Sequence, residues 1–333
     1  MLRTQFHFRR AVQLENESIR VTVLEEGGHV AEITEKATGV NPLWIPPWPS
    51  IEVSSWTPAR ALEYGDAPDG KLLAGIMGHS LCLDMFGPPS PEEQAGGLGL
   101  HGEAGVVSWA ISEIPNGLLC RCTLPNAQLE FERRIHLVGT NVKFQDRVTN
   151  LSSIDRPIAW TEHVTLGPPF LESGRTQFLA STSPLWPAGR LESFPGNSSP
   201  AHLNPTEPEI LRDADSSGDY AAYLMDESRP FSFFAAWSPT LKTAITYRWR
   251  TADFPWLGVW DETRSRKHAP WSGQTLARGM EFGVSPFPET RRQMIDRHSL
   301  YNKPTYRWIP ARTSLTAEYE ATVCQADSFP TES

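Results

Sequence analysis

Alternation of apolar and polar residues constrains this chain more than any other feature. It recurs at Ile19 to Leu24, Leu129 to Leu137, Val142 to Thr149, Ile158 to Leu166, Asp219 to Met225, Lys242 to Trp249 and Thr313 to Val323. A period of two places successive side chains on opposite faces, so each segment reads as a strand with one packed face and one wetter face. In the second segment Leu129, Phe131, Arg133 and Ile135 alternate with Glu130, Glu132, Arg134 and His136, the pattern of an antiparallel sheet. The 29 prolines and 24 glycines among 333 residues favour turns over long helices. Glu289 to His298, after Pro288, is the one stretch that reads as a helix. The expectation is an all-β chain with few short helices.

Apolar residues make up 39% of the chain, and 12 Trp, 15 Phe and 7 Tyr supply bulky surface for a core. The segments lie on both sides of every candidate break, so residues 1–333 are expected to form one large β domain. The Trp-rich stretch Pro42 to Pro58 reads as a cover for a core or the wall of a cleft, because Trp44, Trp48 and Trp56 are costly to leave in water. Leu191 to Pro208, rich in Gly, Pro and Ser, reads as a loop.

A net charge of −9 repels a phosphate backbone, so nucleic acid is not an expected partner. No apolar run is long enough for a membrane helix, and Met1 to Arg10 lacks the apolar core of a secretion signal. A soluble cytoplasmic protein, monomeric or homodimeric, is expected. Cys82, Cys120, Cys122 and Cys324 are scattered without zinc-ligand or disulfide spacing. Cys120 and Cys122 share one strand face and read as two small buried hydrophobes.

Three polar clusters stand apart from the core pattern. Gly97 to Glu103 places His101 among glycines, which let a backbone approach a ligand closely. Trp160 to Thr165, running into Gly167-Pro168-Pro169-Phe170, carries Glu162 and His163. Alternation puts His163 with Thr161 and Thr165, and Glu162 with Trp160, so the adjacent acid and base do not work together on one substrate. Leu276 to Val284 carries Glu281 between Met280 and Phe282. That carboxyl either pairs with Arg278, faces water, or is held partly desolvated with a raised proton affinity.

Taken together the clusters resemble the aldose 1-epimerase, or galactose mutarotase, family. His101 in Leu-His-Gly-Glu-Ala with Trp109 following, His163 before Gly167 and Phe170, Asp219 in Gly-Asp-Tyr-Ala-Ala-Tyr-Leu, and Glu281 in Gly-Met-Glu-Phe-Gly are similar to that family's site residues and follow their order. The resemblance implies a large antiparallel β-supersandwich and an enzyme that interconverts sugar anomers with no metal and no cofactor. In it Glu281 is the base at the C1 hydroxyl and His163 the acid at the ring oxygen. His101, Asp219, His79 and Trp160 are expected to bind a monosaccharide or sugar derivative. Trp56 and Trp256 are further candidates for packing on a pyranose face. Arg248 and Arg250, flanking Trp249, would suit a phosphate, or form a solvated strand edge.

The sequence departs from the family where an arginine is expected in the early Gly75-Ile76-Met77-Gly78-His79-Ser80 segment, since His79 stands there. Ala104, Gly105 and Val106 likewise follow the His-Gly pair where many members continue into arginine. A carbohydrate-binding protein without catalysis, or a sandwich-fold glycoside hydrolase or polysaccharide lyase, are the alternatives.

Overall fold

The computed structural model describes residues 1–66, 69–183, 203–212 and 217–330. All seven alternating segments fall in strands: Ile19–Leu24, Leu129–Val138, Asn141–Asn150, Arg156–Leu166, Ser217–Leu224, Thr243–Arg250 and Ser314–Gln325. The expected helix is Arg291–Arg297. It begins at residue 291 because Thr290 caps it, accepting from the Gln293 backbone while Gln293 reaches back.

Two large antiparallel sheets carry the chain. One runs in spatial order Leu2–Phe6, Arg9–Glu15, Ile19–Leu24, Val30–Glu35, His79–Asp84, Arg156–Leu166, Leu276–Gly283, Trp256–Thr263 and Ser217–Leu224, with Arg307–Ile309 also pairing to Arg156–Leu166. The other runs Glu209–Ile210, Gln177–Ala180, Phe231–Ser238, Thr243–Arg250, Ser314–Gln325, Asn141–Asn150, Leu129–Val138, Gly117–Leu124 and Ala110–Ile114. Their inner faces share a core in which Leu81, Trp160, Met280 and Phe282 of the first sheet meet Phe131, Phe144, Tyr247 and Trp249 of the second. Trp249 and Phe282 stack at 4.3 Å between centroids, worth about 0.5–1.5 kcal/mol beyond the area they bury. Cys120 and Cys122 pack in this core.

The outer face of the first sheet is covered as well. Short helices and loops lay Trp44, Trp48, Tyr64, Leu72, Phe86, Trp271 and Phe287 over Ala159, Ala222, Trp256, Trp260 and Ala277 of the strands. The Pro42 to Pro58 stretch is part of that cover, as its tryptophans required. Most of the Leu191 to Pro208 loop lies outside the described residues. Leu203, at its described end, is buried in the main core and donates its N–H to the Tyr223 hydroxyl at 3.2 Å. No helix among the described residues is long and apolar enough to cross a membrane.

Candidate active site

Between the cover and the first sheet lies a cleft of about 420 Å³ whose lining includes His101, His163, Tyr220, Trp260, Arg266 and Glu281. Two neighbouring strands supply its centre. In Arg156–Leu166 the residues Ile158, Trp160, Val164 and Leu166 go to the inter-sheet core, which leaves Thr161, His163 and Thr165 on the cleft face. In Leu276–Gly283 the core takes Leu276, Met280 and Phe282, which leaves Gly279 and Glu281 on the cleft face. The antiparallel register sets His163 directly opposite Glu281.

The pair is in contact, His163 Nε2 to Glu281 Oε1 at 3.0 Å. On the other side of the ring, Nδ1 meets the Thr165 hydroxyl at 3.1 Å. Glu281 is 2% exposed and, among the described residues, has no Arg or Lys beside it, so burial pushes its pKa up to about 8. Burial, helped by the field of His101, holds His163 well below the usual imidazole value. These directions favour one proton on the pair near neutrality, held on Glu281 against the His163 Nε2. Of the three settings open to Glu281 in the sequence, desolvation is the one observed. Arg278 is instead bonded to Asp261 at 2.6 and 2.7 Å on the inter-sheet face.

Two glycines leave room for this arrangement. A Cβ at Gly279 would stand 2.4 Å from Glu281 Oε1, and one at Gly258, the cross-strand neighbour of Glu281, would stand 2.1 Å from the Tyr220 hydroxyl. Tyr220 donates that hydroxyl to the Pro286 carbonyl at 2.8 Å.

His101 arrives from the covering loop at a positive φ of 64°. Its Nδ1 donates to the Phe86 carbonyl at 2.6 Å, which leaves Nε2 as an acceptor in the neutral ring. Enclosure pulls its pKa down to about 4, and its ring centroid lies 5.4 Å from that of His163. The walls are aromatic: Trp271 meets Trp44 at 6.3 Å, Trp48 at 5.1 Å and Trp260 at 5.9 Å between centroids.

Three of the residues expected to bind sugar lie elsewhere, and alternation explains each. His79 is fully buried between the sheets, with Nε2 2.8 Å from Glu162 Oε2 and Nδ1 accepting from the Tyr247 hydroxyl at 3.2 Å. Trp160 shares the Glu162 face and donates its indole N–H to Glu162 at 2.9 Å. Asp219 is on the face of Ala221 and Tyr223, which pack in the main core, and it is the register partner of Asp261, beside Arg278. Its neighbour Tyr220 is the residue that enters the cleft. Trp56 and Trp256 are not among the cleft-lining residues either. Trp256 is fully buried and donates to the Pro304 carbonyl.

The sequence reading missed Trp260, Trp271, Tyr220 and Arg266. An arginine does line the cleft, but it comes from the loop after Trp256–Thr263. The Arg266 guanidinium lies 4.6 Å from the Trp271 ring centre and 5.3 Å from that of Trp260, and meets Glu262 at 3.4 Å. Nothing in its local sequence marks it. Trp260 and Tyr220 were open to the alternation argument once the cleft face was known. Among the described residues no group of three His, Cys, Asp or Glu side chains is arranged to hold a metal ion.

No protein-family model matches this sequence, and no curated protein does. Solved structures do. A Klebsiella pneumoniae protein provisionally described as an aldose 1-epimerase superimposes with a TM-score of 0.66 at 17% identity, over 96% of this chain and 80% of that one. A galactose mutarotase related enzyme from Lactobacillus acidophilus gives 0.62 at 13% identity, over 96% of this chain and 100% of that one. A galactose mutarotase-like protein from Clostridium acetobutylicum gives 0.61 at 12% identity, over 97% and 98%. With sheet order, cover and cleft as described, these likenesses show that the chain has the galactose mutarotase-like fold.

Proposed function

We propose that this protein interconverts the anomers of an aldose, with Glu281 and His163 as the proton-transfer pair. The observation that carries the reading is their contact across adjacent strands, 3.0 Å apart at the floor of an aromatic-walled cleft. The reactive form has the shared proton on His163. Glu281 then takes the proton from the C1 hydroxyl while His163 gives its Nε2 proton to the ring oxygen. The bond from C1 to the ring oxygen breaks, and an open-chain aldehyde forms. Rotation about the C1–C2 bond presents the other carbonyl face, and the same two transfers in reverse close the ring. Protons balance within the pair, and one base and one acid are all the reaction requires.

Neutral His101, with its free Nε2 lone pair, accepts from a sugar hydroxyl near the ring oxygen. Trp260 and Trp271 pack against the apolar C–H face of the pyranose. His79, Trp160 and Asp219 have no direct part in this scheme, because their side chains lie on the other face of the sheet.

The test is anomer exchange by NMR on freshly dissolved aldoses, with and without protein. The expected result is acceleration over spontaneous mutarotation for at least one sugar. Saturable sugar binding with no acceleration across the panel would replace this reading with that of a carbohydrate-binding protein.

A further inference from the structure

A second cavity, of about 1030 Å³, shares no lining residue with the cleft. It lies where the turn after Thr243–Arg250 meets the Glu227–Phe231 and Lys303–Trp308 segments. Four cations line it, Arg229, Arg250, Lys303 and Arg307, against the single carboxylate of Glu227. This concentration occurs on a chain of net charge −9.

Part of the positive charge is compensated internally. Lys303 pairs with Glu227 at 2.5 Å and Arg229 with Asp226 at 3.5 Å. The other two cations differ. Arg307 donates to the backbone carbonyls of Ala252 and Asp253 at 2.9 and 3.0 Å. Among the described residues no carboxylate lies within 4 Å of the Arg250 or Arg307 guanidinium. Asp253 acts on both from farther away.

Aromatic surface accompanies these cations. Trp308 is 54% exposed and Phe231 41% exposed at the cavity, and Tyr306 meets Trp308 edge-on at 5.9 Å between centroids. A tryptophan left this open beside arginines is the pattern of a ligand surface that offers both apolar packing and charge-assisted hydrogen bonds.

We propose that this groove binds an acidic oligosaccharide. Its volume lies at the upper end for small-molecule sites and exceeds what one sugar ring fills. Open aromatic rings suit the C–H faces of successive pyranoses, while Arg250 and Arg307 match the oxyanions of uronate or phosphate groups bidentately. A long nucleic acid is disfavoured because the overall field opposes it. The site acts independently of the reaction proposed for the cleft.

Calorimetric titration of the full chain with tetragalacturonate, a 6-phosphorylated maltotetraose and neutral maltotetraose tests the assignment. Saturable binding of at least one acidic probe is expected, weakened by added salt, with maltotetraose about tenfold or more weaker. The stronger acidic probe identifies the carboxylate or the phosphate as the natural anion. Arg250→Gln and Trp308→Ala, both at exposed positions, should each weaken that binding about tenfold and leave thermal unfolding and monosaccharide anomer exchange unchanged. No binding of either acidic probe, equal binding of neutral maltotetraose, or undiminished affinity in both variants would overturn the proposal.

Discussion

Two histidine–glutamate pairs share the strand Arg156–Leu166, one on each face. On the inter-sheet face Glu162 meets His79 at 2.8 Å, and on the cleft face His163 meets Glu281 at 3.0 Å. The two residue types are the same and the distances nearly so, yet the carboxyls differ in proton affinity. Burial works to raise both. At Glu162 it is outweighed by the Arg133 charge at 2.6 Å and by hydrogen bonds from His79 and Trp160, which hold the carboxyl at about 2. Arg133 also grips Asp146, bidentately at 2.9 and 2.6 Å, but burial wins there and raises that carboxyl to about 7, since one guanidinium serves two acids. Glu281 has no such neighbour and is pushed to about 8. A buried cation thus separates a fixed charge that ties two sheets together from a proton carrier able to work near neutral pH.

Substitutions at each pair should break different properties. Glu281→Gln keeps the shape of the cleft but removes the base, so anomer exchange should fall by about 10²- to 10⁴-fold while the urea midpoint stays at or above the wild-type value, since Gln has no charge to give up on burial. Near-normal rates in that variant would remove Glu281 from the mechanism. Arg133→Met leaves Glu162 and Asp146 buried without their cation. Its expected cost is about 3–5 kcal/mol of unfolding free energy, a large part of the stability of an ordinary domain. A loss under about 1 kcal/mol would show that the inter-sheet network is not the tie described.

The smallest effect is a titration. Because the cleft pair works with one proton, kcat/KM should be level near pH 7 and fall about tenfold per unit as pH rises beyond about 8, where Glu281 loses it. His163 lies well below 6.5, so the acid limb should appear only at clearly lower pH. In stability the sign follows from the raised carboxyl: Glu281 contributes fully below about pH 4.5, and that contribution is lost as pH rises to about 8. A rate that still climbs at pH 9 would show that the pair does not share its proton in this way.

Much of the sheet architecture was legible because alternation is a property of the backbone and survives any change of partner. His163 and Glu281 were legible for the same reason, each standing out as a polar residue within an apolar strand. What alternation does not reveal is which face meets the cleft and which the core. Glu162 and His163 were separated correctly, and the same rule places Trp160 with Glu162 and away from the cleft. Asp219 was misplaced because resemblance by order along the chain ignores the half-turn between it and Tyr220. Arg266 and Trp271 were out of reach for another reason. They come from a loop, where no period ties a residue to a face and only the folded cover brings them over the strands.

The pairing of His163 with Glu281 also bears on how such a chain can vary. A one-residue insertion before Met280 in Leu276–Gly283 would turn Glu281 toward the core and carry Met280 into the cleft, and one in Arg156–Leu166 would displace His163 in the same way. The proton-transfer geometry can therefore change by substitution but not by a change in length. His101, Arg266 and Trp271 sit on connections that can lengthen or shorten without disturbing the ladder beneath them. Under the proposed function, loop insertions and deletions can reshape the wall that meets the sugar while the strand register keeps the proton-transfer pair together as a single unit.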